Sequence, residues 1–192
     1  MKKCFCLILA ALCLVAMTAC GQTGTKTPAE SLTPDPEPAR ALEVVEKVWA
    51  EIPEDKRMPV FGGDSSAVVE DAPGTFDLSD DGAVYTLLIP QEDLDKLDGA
   101  AAMVHALMRN VFTCSAVHMA PGNAAADMGE GMYQSVVEHQ FDCGAPEQVL
   151  VAVIGTGYVV TGYGTEENMN LLAAAIKAVY PGANVMYQEF LG

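Results

Sequence analysis

Apolar and polar positions follow one another along this chain in several registers, and each register predicts an element. Residues 41–52, ALEVVEKVWAEI, place Leu42, Val45, Val48, Trp49 and Ile52 on one face at helical spacing, and Pro53 stops the helix. Residues 53–76 hold three prolines, three glycines and few apolar runs, so they read as loop. VYTLLI at 84–89 predicts a strand closed by Pro90. Asp98 is placed to cap a helix running through GAAAMVHALM to about Arg109. VFTCSAVHM at 111–119 predicts a second strand, ended by Pro121 and Gly122. A weaker helix follows over 124–138, its propensity lowered by Gly129 and Gly131. QVLVAVI at 148–154 and YVVTGYG at 158–164 flank Gly155-Thr156-Gly157, a hairpin signal. Thr165 caps a helix to Tyr180, stopped by Pro181 and Gly182, and NVMYQEF at 184–190 is the closing strand.

The resulting order, α-βαβ-α-ββαβ, predicts an α+β fold: a mixed sheet with helices mainly on one face. The two βαβ segments look alike, each with three consecutive alanines in its helix (100–102 and 173–175), which suggests a degenerate duplication.

The leader has a different pattern. After Lys2 and Lys3, residues 4–19 are apolar except for Thr18. Sixteen helical residues span roughly 24 Å, short of the roughly 30 Å hydrocarbon core, which favours a signal peptide over a permanent span. The run ends in Met17-Thr18-Ala19-Cys20-Gly21. Small residues before a cysteine suit a peptidase that needs an extended chain, and the thiol of Cys20 can take a diacylglycerol thioether. This junction resembles the lipobox of bacterial lipoproteins, with Met17 where leucine is usual. The resemblance covers the leader alone. It implies a signal peptide over 1–19, lipid on Cys20, and a protein held on the outer face of the bacterial cytoplasmic membrane. Residues 21–39, GQTGTKTPAESLTPDPEPA, have no apolar period and cannot bury enough surface to offset their ordering entropy. Residues 20–39 thus read as lipidated cysteine and tether, about 24 Å long as a flexible coil, and 40–192 as one domain. That domain resembles small uncharacterised lipoproteins of Gram-positive bacteria, which have no established activity to lend.

Charge narrows the partners. The chain carries 10 basic and 26 acidic residues; without Lys2 and Lys3 the mature chain has 8 against 26, a net charge of −18. Nucleic acid and anionic headgroups both need clustered Lys and Arg, so neither is an expected ligand of the domain. Of six cysteines, Cys4, Cys6 and Cys13 leave with the leader and Cys20 carries lipid. Cys114 and Cys143 remain as a candidate disulfide, and no CxxC indicates a zinc ribbon or thioredoxin-type site.

Three further patterns invite chemistry. VAVIGTGYVV at 151–160 resembles the opening of a Rossmann fold, but Val160 stands at the third glycine position and Tyr158 to Thr161 favour a strand, so no cofactor is expected. Asp77, Ser79 and Asp81 with Gly82 match the first half of a calcium loop, but Leu88 stands where a bidentate Glu is needed. A hairpin turn at Asp81-Gly82 is the plainer reading. His105, His118 and His139 could serve a Cys–His nucleophile with Cys114 or Cys143, although Cys114 and His118, on one strand, lie about 13 Å apart. His105 and Met108 fall among the apolar positions of their expected helix and read as core. The expected function is a lipid-anchored binding or accessory domain, not an enzyme. Its partners would be the membrane through Cys20 and an envelope protein, peptide or glycan. The alternative is an extracytoplasmic hydrolase using Cys/His or a calcium-assisted site.

Overall fold

The structure is a computed structural model and describes residues 38–142 and 144–192. Helix α1 spans Ala41–Glu51 and buries Val44, Val45, Val48 and Trp49. Its start is tied by Glu43, which accepts from the Ala39 N–H at 2.9 Å and from Lys47 Nζ at 2.6 Å. Three short strands follow, β1 (Val60–Gly62), β2 (Val69–Glu70) and β3 (Gly74–Thr75), then the single-turn helix α2 (Gly82–Tyr85). The main body is β4 (Leu97–His105), β5 (Phe112–Met119), α3 (Ala125–Glu138), β6 (Gln148–Ile154), β7 (Tyr158–Gly164), α4 (Glu166–Val179) and β8 (Asn184–Phe190). The strands form one sheet in the order β2-β1-β4-β5-β7-β6-β8, with β3 also on β4, and every pairing is antiparallel.

Strand alternation divides the core in two. Met103, Phe112, Cys114, Leu150, Tyr158 and Val160 face α1 and α4. Val117, Val149, Val151, Val159 and Tyr163 face α3 and the residues around α2. Gly162 permits one close approach: a Cβ there would lie 2.4 Å from Leu172 Cδ2, so α4 rests directly on β7. Among the described residues no helix is long and apolar enough to cross a membrane.

The fold is α+β, as the element pattern predicts, and the second half follows that pattern closely. Residues 148–154 and 158–164 pair from Ile154–Tyr158 to Gln148–Gly164 around Gly155 and Gly157, with Gly155 at φ +58°. The Thr165 hydroxyl accepts from the Asn168 N–H at 3.4 Å and caps α4.

The first half departs from it. The expected helix from Asp98 to Arg109 is strand β4 as far as His105, paired with β1, β3 and β5, and then a turn. A strand covered on both faces loses its alternation and reads like a buried helix, and its alanines are small enough to lie beneath helices. The expected strand at 84–89 is the end of α2 followed by a buried coil. There the Leu87 and Ile89 N–H groups return to Gly82 and Ala83 carbonyls at 2.9 and 3.0 Å, and Leu88 sits at φ +57°. The loop expected over 53–76 contains three short strands. With β4 a strand there is no first βαβ segment, and the expected duplication goes with it. The chain instead runs through two ββα units, β4-β5-α3 and β6-β7-α4, with helices on opposite faces. The sheet is antiparallel rather than mixed, and the helices cover both faces rather than mainly one.

Candidate functional site

The end of the sheet where Pro38 enters carries an open groove of about 470 Å³. One wall is the start of α1, from Ala39 to Leu42, and the other is Thr75 to Leu78 with Asp98 to Ala100. His118, near the end of β5, closes the groove and hydrogen-bonds Asp98 through Nδ1. A carboxylate accepts, so Nδ1 is the protonated nitrogen and Nε2 is the ring nitrogen left for the groove. The ring packs on Tyr158 at 4.4 Å between centroids, and the Tyr158 hydroxyl donates to the Pro38 carbonyl at 2.6 Å. Register explains the cluster: His118 pairs with Tyr158 across β5 and β7, and with Gly99 across β5 and β4.

The far wall is built on Asp64, a carboxylate 6% exposed. It accepts from the Ser66 hydroxyl at 2.6 Å and from the N–H groups of Ser66, Ala67 and Asp77 at 2.8, 3.1 and 3.0 Å. These donors, the Ser66 hydroxyl foremost, hold its pKa down at about 2. Asp64 thereby fixes the backbone of Asp77 at the groove.

Of the calcium-loop candidates, Asp77 and Ser79 are engaged with each other. Asp77 Oδ1 accepts from the Ser79 N–H and hydroxyl, both at 2.8 Å. Asp80 accepts from the Gly82 N–H at 2.7 Å and from the Ser65 hydroxyl. Asp81 begins α2 without a side-chain cap bond, so Asp81-Gly82 opens a helix rather than a hairpin. Among the described residues no three His, Cys, Asp or Glu side chains converge. Gly155 and Gly157 lie between two strands, away from the helix N-terminus that would hold a pyrophosphate.

The histidines are divided between the two ends. His105 lies at the end of β4, where its Nδ1 accepts from the Leu107 and Met108 N–H groups at 3.2 Å each. It closes a turn and is not the helical core residue expected, while Met108 is 44% exposed. His139 follows α3 and lies 2.9 Å from an Arg109 guanidinium nitrogen; since Arg only donates, His139 Nε2 accepts and the ring is neutral. Burial and then the Arg109 charge push its pKa down. Cys114 is a free thiol in the middle of β5, wholly buried on the α1 and α4 side, and desolvation pushes it up to about 12. Cys20 and Cys143 lie outside the described residues.

His118 was visible in the sequence as a candidate, but its partners were not. Asp98 reads as a helix cap and Tyr158 as an ordinary strand residue. Only the long-range pairing of β4, β5 and β7 brings the three together. Asp64-Ser65-Ser66 was the one local signal missed, an aspartate followed by hydroxyl residues that favours a side-chain turn. No family model, curated protein or solved structure matches this chain.

Proposed function

We propose that the protein is a lipid-anchored extracytoplasmic binding domain, held through Cys20 on the outer face of the bacterial cytoplasmic membrane, with the His118–Asp98 groove as its ligand site. The observation that carries this reading is the open groove with a tautomer-fixed histidine at one end and apolar walls from Leu42, Phe76 and Leu78. Its polar rim carries the carboxylates of Asp77 and Asp98 beside His118, against the cation of Arg40. A ligand suited to this rim donates hydrogen bonds, through hydroxyls or a protonated amine, and lays an apolar body on the walls. The buried, protonated Cys114 speaks against the Cys/His hydrolase, because the thiolate is the nucleophile and desolvation disfavours it.

Two measurements test the reading. Intact mass of the processed protein should show a chain beginning at Cys20 with added lipid, and Cys20→Ser should abolish that mass. A mature chain starting elsewhere without lipid contradicts the anchor. For the groove, amine, polyol and carboxylate fragments are titrated against the protein while the imidazole signals of His118 are followed. Amines or polyols should move His118 and leave His105 still. Silence at His118 with every fragment contradicts the site.

A further inference from the structure

We propose that the end of the sheet opposite Pro38 docks a polypeptide segment of a partner protein, bearing two apolar anchors flanked by lysine or arginine. This end is distinct from the His118 groove and needs no part of that assignment. It gathers the β4–β5 turn, the start of β6, the ends of β7 and β8, and the end of α3.

Of the eight large exposed apolar side chains among the described residues, five lie here: Tyr85, Leu107, Met108, Val137 and Phe190. Leu107 is 84% exposed and Phe190 66%, and neither supports the core. Between them are two concavities. One, of about 210 Å³, runs between the Leu107–Met108 turn and Phe141. The other, of about 250 Å³, runs between Phe141 and the Val137–Phe190 side. Phe141 is their common wall, held by His139 at 4.6 Å and Tyr163 at 5.4 Å between centroids. An apolar side chain can seat on either side of that wall.

The surrounding charge selects the occupant. Glu138, Asp142, Glu147 and Glu189 belong to the segments that frame the strip. The cation beside it, Arg109, already donates to the Tyr85 carbonyl and to His139. An anionic bilayer is repelled by such a rim, and a second copy of this acidic chain brings the same sign. An apolar segment with flanking Lys or Arg satisfies both the strip and the rim.

The test uses the full mature chain and three labelled probe peptides followed by fluorescence anisotropy: alternating leucine and lysine, leucine and glutamate, serine and lysine. The leucine–lysine peptide should bind and the other two should not. The double variant Leu107→Ser, Phe190→Ser should weaken that binding roughly tenfold or more, with an unchanged melting temperature because both side chains are exposed. His118→Ala should leave it unchanged, which separates this surface from the groove. The proposal is overturned if the serine–lysine peptide binds equally well, or if the double variant binds the leucine–lysine peptide like the parent. It is equally overturned if no peptide binds. Self-association in sedimentation that the double variant abolishes would assign the strip to a second copy, and binding to anionic vesicles lost in that variant would assign it to a bilayer; either outcome overturns it too.

Discussion

Tyr158 and Tyr163 stand on the same strand, both 1% exposed, and they close the two ends of the molecule in different ways. Tyr158 faces α1, packs on His118 and donates to the carbonyl of Pro38, where the chain enters the domain. Tyr163 faces α3, packs on Phe141 and donates at 2.6 Å to the carbonyl of Thr86, in the coil after α2. The first tyrosine thus supports a groove with a polar rim and the second an apolar strip. One strand with period 2 serves both, because the two are five positions apart and an odd offset reverses the face. The lesson is that a single antiparallel hairpin can orient two unlike surfaces on opposite faces and at opposite ends.

The comparison can be broken by mutation. Tyr163→Ala should have the largest effect, about 3–5 kcal/mol of unfolding free energy in urea titration, because it empties a fully buried aromatic site. Tyr163→Phe should cost about 1–2 kcal/mol, since the Thr86 carbonyl loses its donor. Tyr158→Phe should cost at least as much, about 1–3 kcal/mol, because Pro38 is buried and its carbonyl is left there without a donor. A Tyr158→Phe loss well below the Tyr163→Phe loss would mean that the Pro38 carbonyl finds another donor.

Acid should sharpen the contrast, since the ends titrate in different windows. The folded pKa of His139 is lowered below 6.5, so its contribution is full above that pH and is lost as pH falls through the folded value. The stability difference between the parent and His139→Gln should therefore shrink below pH 6.5. Asp64 falls from 3.8 to about 2 on folding, so its contribution is full above 3.8 and is lost as pH falls through about 2. The parent's advantage over Asp64→Asn should stay constant down to about pH 4 and vanish near 2. The reverse order of the two windows would contradict the hydrogen-bond assignments.

The smallest effect concerns Cys114. Its thiol, pushed up to about 12 by burial, should resist alkylation at neutral pH in the native protein and react at the rate of unfolding. Rapid native labelling at Cys114, read by mass after digestion, would revive the Cys/His hydrolase.

Sequence legibility followed the same division. β6, β7 and β8 keep their β-branched residues between clear punctuation, at Gly155-Thr156-Gly157 and Pro181-Gly182, and their bounds could be read directly. β4 could not, because Gly99-Ala100-Ala101-Ala102 has no strand propensity of its own and is extended by its neighbours β3 and β5. The groove inherits that opacity. His118 is legible as a titratable residue on a strand, but Asp98 reaches it only once β4 is a strand. Misreading the alanine run therefore hid the pair as well as the element.

In the proposed site His118, fixed by Asp98, is the recognition group of the groove at the chain's entry. The most direct measurement is the imidazole ¹⁵N spectrum of His118 in the parent and in Asp98→Asn, each titrated with the amine and polyol fragments. The parent should show Nδ1 protonated and held by Asp98, with an Nε2 signal that moves on fragment addition, and Asp98→Asn should lose that preference and most of the response. An Nε2–H tautomer in the parent, or a fragment response untouched by Asp98→Asn, would contradict the account.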